Sequence, residues 1–138
     1  MSNQTTIIIP TKNRKNFILR TLDYYLKKKI KFNVYVIDSS EIPLDQNTIK
    51  KYYFLKYFHK NLKVDKAILY ALTYVETEYC IYQGDDDIFI PDHLEDFESI
   101  LNNNDEISAV GGKIIGINIE NDNHKGKISH LSEYKTNQ

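Results

Sequence analysis

Asp85, Asp86 and Asp87 stand consecutively between a short apolar run, Tyr79 to Gln83, and a helix-start signal at Pro91. Crowded carboxylates raise one another's pKa unless they are well solvated or share a positive charge, so this turn is either a hydrated loop or a cation site. Magnesium and manganese accept oxygen ligands, often one or two protein carboxylates, and fill their octahedra with water and substrate phosphates. A metal-binding turn here would therefore imply a phosphate-bearing substrate. The plainer alternative is that aspartate is a favoured turn and cap residue.

The elements that must hold this turn follow from periodicity. Thr6 to Ile9 is a β-branched run without polar alternation, the pattern of a strand covered on both faces, and Pro10 ends it because proline cannot donate to a central ladder. From Asn16, residues Ile18, Leu22, Tyr25 and Leu26 share one helical face, which runs out at Lys27 to Lys29. Val34 to Ile37 predicts a second buried strand, followed by the polar turn Asp38-Ser39-Ser40. Asp45 or Asn47 caps a short helix to about Tyr52, and Tyr53 to Phe58 reads as a third strand despite apolar residues on both parities. Val64, Ala67, Ile68, Ala71, Leu72 and Val75 form the clearest helical stripe. After the strand Tyr79 to Gln83, Pro91 opens a helix whose face carries Leu94, Phe97 and Leu101 until Asn102 to Asn104 stop it. Ile107 to Ile119 reads as a further strand, interrupted by Gly111, Gly112 and Gly116, which permit a bulge or a close backbone approach. A polar tail, loosely held, is expected from Glu120.

Strands alternating with helices predict an α/β fold with a parallel sheet and right-handed crossovers, whose ligands bind at the carboxyl ends of the strands. Three loops, Thr11 to Arg14, Asp38 to Ser40 and Gly84 to Asp87, each begin at such an end and should face one crevice. Asp38 could accept a hydrogen bond from a base or ribose, or be an ordinary turn aspartate. Asn13 and Arg14 could donate to base or phosphate; alternatively Asn13 caps the first helix beside a solvated Arg14. Lys66 could offer a point charge to phosphate or simply lie on an exposed helix face. Gly84 would let the backbone approach a ligand.

Composition narrows the function class. The formal net charge of -1 and a pI near 6.4 argue against a dedicated nucleic-acid binder, which normally shows a basic stripe. The single cysteine, Cys80, lies in an apolar run, reads as a small buried thiol, and excludes a disulfide framework. No segment has the length of a membrane span or the form of a secretion signal, so a soluble, cytoplasmic protein is expected. At 138 residues one domain is expected, over residues 1–119, with the tail at 120–138.

Three motifs in order, TIIIPTKNR at 6–14, VYVIDSS at 34–40 and YCIYQGDDDIFIPD at 79–92, resemble the donor half of a family 2 glycosyltransferase, over roughly residues 5–116. The resemblance implies a Rossmann-like GT-A sandwich with a mainly parallel central sheet flanked by helices. It also implies a nucleotide-sugar donor, most often a UDP-sugar, an Mn2+ or Mg2+ ion, and a glycan, lipid or protein acceptor. Position by position, Pro10 and Thr11 match the loop beside the uracil, and Asp38 the carboxylate that recognises the base. Asp86 matches the metal ligand and Asp85 the residue nearer the ribose. Gly84 replaces the first acidic residue of the commoner pattern, which leaves the shares of Asp85, Asp86 and Asp87 open. The segment VDK at 64–66 resembles a branch of the family with lysine there, which gives Lys66 a phosphate role.

The implied reaction is inverting attack of an acceptor hydroxyl on the anomeric carbon, and it needs a carboxylate base that the family places in a later acceptor half. The sequence ends at residue 138, 51 residues after Asp87, so that half is expected elsewhere, in a missing C-terminal part or a partner chain. Glu120, Asp122, His124, His130 and Glu133 could serve, though charged and polar side chains in a solvated tail account for them more simply. Two other classes stay open: a truncated, catalytically incomplete nucleotide-sugar-binding module, and a receiver-like signalling domain, which leaves Thr11 to Arg14 unexplained.

Overall fold

The computed structural model describes residues 4–119 and 126–132. Within the first 94 residues, β1 (Thr5–Thr11), α1 (Lys15–Lys28), β2 (Asn33–Asp38), α2 (Gln46–Ile49), β3 (Leu55–His59), α3 (Val64–Leu72) and β4 (Tyr79–Tyr82) follow one another. The four strands are all parallel, in the order β3-β2-β1-β4. Residues 95–138 form a second unit. It holds most of α4 (Leu94–Asn102), and β5 (Ile114–Ile119) paired antiparallel with β6 (Gly126–Ser132).

Alternation along β1 and β2 separates two cores. Ile7, Ile9, Val34 and Val36 face α1 and pack with Ile18, Leu22 and Tyr25, whereas Ile8 and Ile37 face α3 and pack with Ala67 and Ala71. Each such fully covered aliphatic side chain contributes roughly 1.5–3 kcal/mol. The two helices lie on opposite faces because the chain reverses direction. It moves outward from β1 to β2 and β3, then returns past them to β4, and a right-handed crossover places the helix on the other face when the direction of travel changes.

Several elements differ from expectation. α2 ends at Ile49 rather than near Tyr52, and β3 begins two residues later than predicted, at Leu55. Of the two candidate caps, Asp45 holds α2: its carboxylate accepts from the Thr48 backbone N–H at 2.9 Å and the Thr48 hydroxyl at 2.6 Å. In α3, Ala67 and Ala71 are buried while Val64 and Leu72 remain exposed, because two alanines one turn apart let the helix sit close to Ile8 and Ile37. Cys80 is exposed, not buried. It lies on an edge strand, and α3 packs on β1 and β2. The strand expected over 107–119 covers its second half alone, and the ladder slips at Gly116/Ile117, where glycine tolerates the irregularity. The tail expected from Glu120 contains β6. Within residues 95–138, β5 and β6 form a sheet of their own.

α1 ends on Lys29 in the left-handed region, φ 52° and ψ 48°, with the Lys29 N–H bonded to Leu26 O and the Ile30 N–H to Tyr25 O. Glycine usually takes this position, because a Cβ there is strained by about 1–2 kcal/mol. Part of that gain is offset by glycine's greater freedom in the unfolded chain, about 0.5–1 kcal/mol. Lys29→Gly is therefore expected to raise stability by up to about 1 kcal/mol, read as a higher urea midpoint at unchanged slope; a lower midpoint would contradict this account of the helix end.

Candidate functional site

In strand order, β1 has β2 on one side and β4 on the other. The chain leaves β1 toward β2 and comes back to β4, so the crevice beyond the carboxyl ends of β1 and β4 is the sheet's topological switch point. A cavity of about 520 Å³ opens there, walled by Pro10 and Thr11 at the end of β1 and Lys12 and Arg14 after it, Ser39 after β2, Asn61 to Val64 after β3, and Gly84, Asp85 and Asp86 after β4. All four loops at the carboxyl rim meet in it. Three were legible from the sequence. The fourth, at 61–64, was missed, and with it Lys63; Lys12 also lines the cavity without having been singled out.

Two cross-links span the switch point. The Thr11 hydroxyl donates to Asp85 Oδ2 at 2.8 Å, and the Arg14 guanidinium forks between carboxylates, Nη1 to Asp85 Oδ1 at 2.8 Å and Nη2 to Asp86 Oδ2 at 3.0 Å. Asp85 is nearly covered, at 7% side-chain exposure, whereas Asp86 is 53% exposed. The expected positive charge among the aspartates is thus supplied by the chain itself. Arg14 is also the N-cap residue of α1, a placement that starts its side chain at the cavity rim.

α1 carries the acidic turn from below. Tyr25 OH donates to Gln83 Oε1 and accepts from the Phe89 N–H at 3.2 Å; burial pushes the Tyr25 phenol well above its usual pKa. Gln83 Nε2 donates to the Asp87 carbonyl at 2.9 Å, and Arg20 Nη2 to the Asp86 carbonyl at 3.1 Å. The turn closes with the Asp87 N–H on Gly84 O at 3.2 Å. Gly84 serves this turn directly: a Cβ there would lie 2.9 Å from Asp87 Oδ2 and 3.2 Å from Asp86 Oδ1, so its missing side chain makes room for the carboxylates. Tyr25 and Arg20 had no sequence signal as site residues. Tyr25 read as core, which it also is, and a helical position alone does not reveal which strand end it meets.

Asp38 stands at the carboxyl end of β2, in register with Thr11, and is buried. Tyr57 OH donates to its Oδ2 and the Ser40 N–H to its Oδ1 at 2.8 Å. Burial, then the bond to Asp38, drives the Tyr57 phenol far above its usual pKa, so it remains a proton donor. Asn13 does not cap α1. It adopts the left-handed region at φ 55°, which asparagine tolerates, its N–H bonding Ser40 Oγ at 2.7 Å and its Oδ1 accepting the Glu41 N–H at 3.1 Å. It thereby ties the β1 loop to the β2 loop. Lys66 lies on the exposed face of α3, and neither it, Asn13, Asp38 nor Asp87 is among the residues that line the cavity.

The sequence model of glycosyl transferase family 2 matches residues 6–138. The chain belongs to that family. A search of curated proteins gave no match. The parallel sheet flanked by helices agrees with the Rossmann-like GT-A fold of this glycosyltransferase family. No helix among the described residues is long and apolar enough to cross a membrane. Glu120, Asp122, His124 and Glu133 lie outside the described residues; His130 belongs to β6.

The donors at the cavity wall decide whether it fits a divalent cation. Among the described residues no three His, Cys, Asp or Glu side chains converge as a ready-made cage. The Asp85 and Asp86 carboxylates nonetheless give hard oxygen donors at the cavity wall, the one or two that magnesium or manganese takes from a protein when phosphates supply the rest. The donor set fits. The hydrogen bond from Arg14 holds the Asp86 carboxyl below its ordinary pKa and raises that of Arg14. A depressed carboxyl stabilises the fold above its unfolded pKa of 3.8 and loses that contribution as pH falls through the folded value. Wild type and Arg14→Gln should therefore differ most in melting temperature near neutral pH and converge as the pH falls below 3.8; a gap that widens in acid would show that the ion pair does not account for it.

Proposed function

We propose that this domain binds a nucleoside-diphosphate sugar, a UDP-sugar as the family resemblance suggests, in the switch-point cavity, and transfers the sugar with inversion to a hydroxyl of a glycan, lipid or protein acceptor. One observation carries this: a single cavity where four strand ends meet places an acidic pair, Asp85 and Asp86, beside three cationic side chains, Lys12, Arg14 and Lys63. That charge pattern suits a diphosphate and its cation better than either a neutral sugar or a bare metal.

Asp86, with Asp85 behind it, would hold Mg2+ or Mn2+, while Asp87 contributes its backbone to the turn. When bound, the ion acts as a Lewis acid on the leaving diphosphate. Lys12 and Lys63 offer point charges to the phosphates, and Pro10 and Thr11 form the wall on which the nucleoside rests. Asp38, next to the cavity-lining Ser39, would accept from a base reaching past the cavity wall, and Tyr57 and the Ser40 N–H hold its carboxylate in one orientation. Oriented acceptors of this kind lose little freedom on binding. Asn13 fixes the separation of the two loops that flank the nucleoside.

Calorimetric titration of the full chain with UDP should show binding that Mn2+ strengthens by about tenfold or more, with that enhancement lost in Asp86→Ala. Equal Mn2+-dependent UDP affinity in the two proteins would overturn the assignment of the cation to this turn. Release of UDP from a panel of UDP-sugars, followed in the same samples, reads transfer to water and names the sugar.

A further inference from the structure

Arg14 is placed where the cation of the proposed function would act. Its guanidinium bridges the two carboxylates and lies over the Phe17 ring, with Cζ 4.3 Å from the centroid. Arg20 lies over the same ring at 5.2 Å and holds the Asp86 carbonyl. The Arg14 side chain is 40% exposed and springs from the residue just before α1, so its head can turn into the cavity without a change in the sheet.

We propose that Arg14 is a built-in counter-ion that competes with the divalent cation for Asp85 and Asp86, and so sets the site's cation affinity and makes it depend on the diphosphate. The proposal rests on the reading of Asp85 and Asp86 as the cation site. Charge balance supplies the reason. The cavity already sets three cationic side chains, Lys12, Arg14 and Lys63, against the two carboxylates, so a divalent ion alone adds to an excess of positive charge in a partly desolvated site. Without a nucleotide, the ion must displace a guanidinium that makes one charge-assisted contact with each carboxylate. A nucleoside diphosphate brings the missing negative charge and gives Arg14 a second partner at the same cavity wall, so the ion and the nucleotide assist each other's binding. Arg14 is then a residue that orders and couples ligand binding; a purely structural ion pair would leave cation affinity unaffected or lower it when removed.

The test is Mn2+ titration of the full chain, followed by the electron paramagnetic resonance signal of free Mn2+, with and without UDP. Arg14→Gln should bind Mn2+ alone about five- to tenfold more tightly than wild type, and the gain in Mn2+ affinity caused by UDP should shrink by a similar factor. Arg14→Lys, which keeps the charge without the fork, should fall between them and guards against a folding defect in the glutamine variant. Mn2+ affinity unchanged or weaker in both variants overturns the proposal while leaving the cation site intact, provided Asp86→Ala still abolishes binding. Equal Mn2+ binding by wild type and Asp86→Ala, or none by either, overturns the cation site itself and the counter-ion role with it.

Discussion

The pairing of β4 with the open edge of β1, rather than with β3, is the constraint on which the site depends. It brings Gly84 to Asp87 beside Thr11 to Arg14, segments some seventy residues apart, and creates the gap between diverging crossovers in which a ligand can sit. Hydrophobic burial enforces it. β1 is covered on both faces, by α1 through Ile7 and Ile9 and by α3 through Ile8, so its remaining edge is dry and its backbone groups need a strand partner. β4 satisfies them in register from Thr5↔Tyr79 to Ile8↔Tyr82.

Polar side chains at the rim then convert a packing solution into a chemical one. Asp85 is nearly covered, and a buried carboxylate is tolerable because Thr11 and Arg14 both donate to it. Tyr25 illustrates how one side chain can serve both layers. Its ring packs edge-on against Phe32 and Phe54, and its hydroxyl reaches Gln83 and Phe89 to hold the acidic turn. Every buried side-chain nitrogen or oxygen among the described residues has a partner, which explains how a charged loop can sit firmly over an apolar core.

The same economy links stability to function. Arg14 offsets one of the two negative charges of the acidic pair and holds both carboxylates in place; a preorganised site spends less binding energy on ordering itself. Under the proposed function, the cost is that a cation competes with a charge already there. Asp38 follows a similar logic with a neutral donor, Tyr57, in place of a cation.

Much of this was legible in the residues themselves. The runs at 6–9 and 34–37, the stripe on α1 and the polar loops after each strand required a parallel α/β sheet with a functional rim, because periodicity and strand polarity are local properties that tertiary packing rarely overrides when they are strong. The edge of the sheet was less legible. Cys80 looked buried because apolar runs do not record how many neighbours a strand will have, and the hairpin of β5 and β6 escaped notice because β6 is polar and its pairing is non-local. The sequence alone determined which residue types would gather at the carboxyl rim and the family to which their order belongs. Tertiary structure alone decided that Arg14 pairs with Asp85 and Asp86 rather than standing solvated at a helix start, that the Asp87 backbone closes the acidic turn, and that Lys63 lines the cavity while Lys66 does not. The physical reason is that side-chain direction at a strand or helix end depends on one or two dihedral angles, and these are set by partners contributed from elsewhere in the chain.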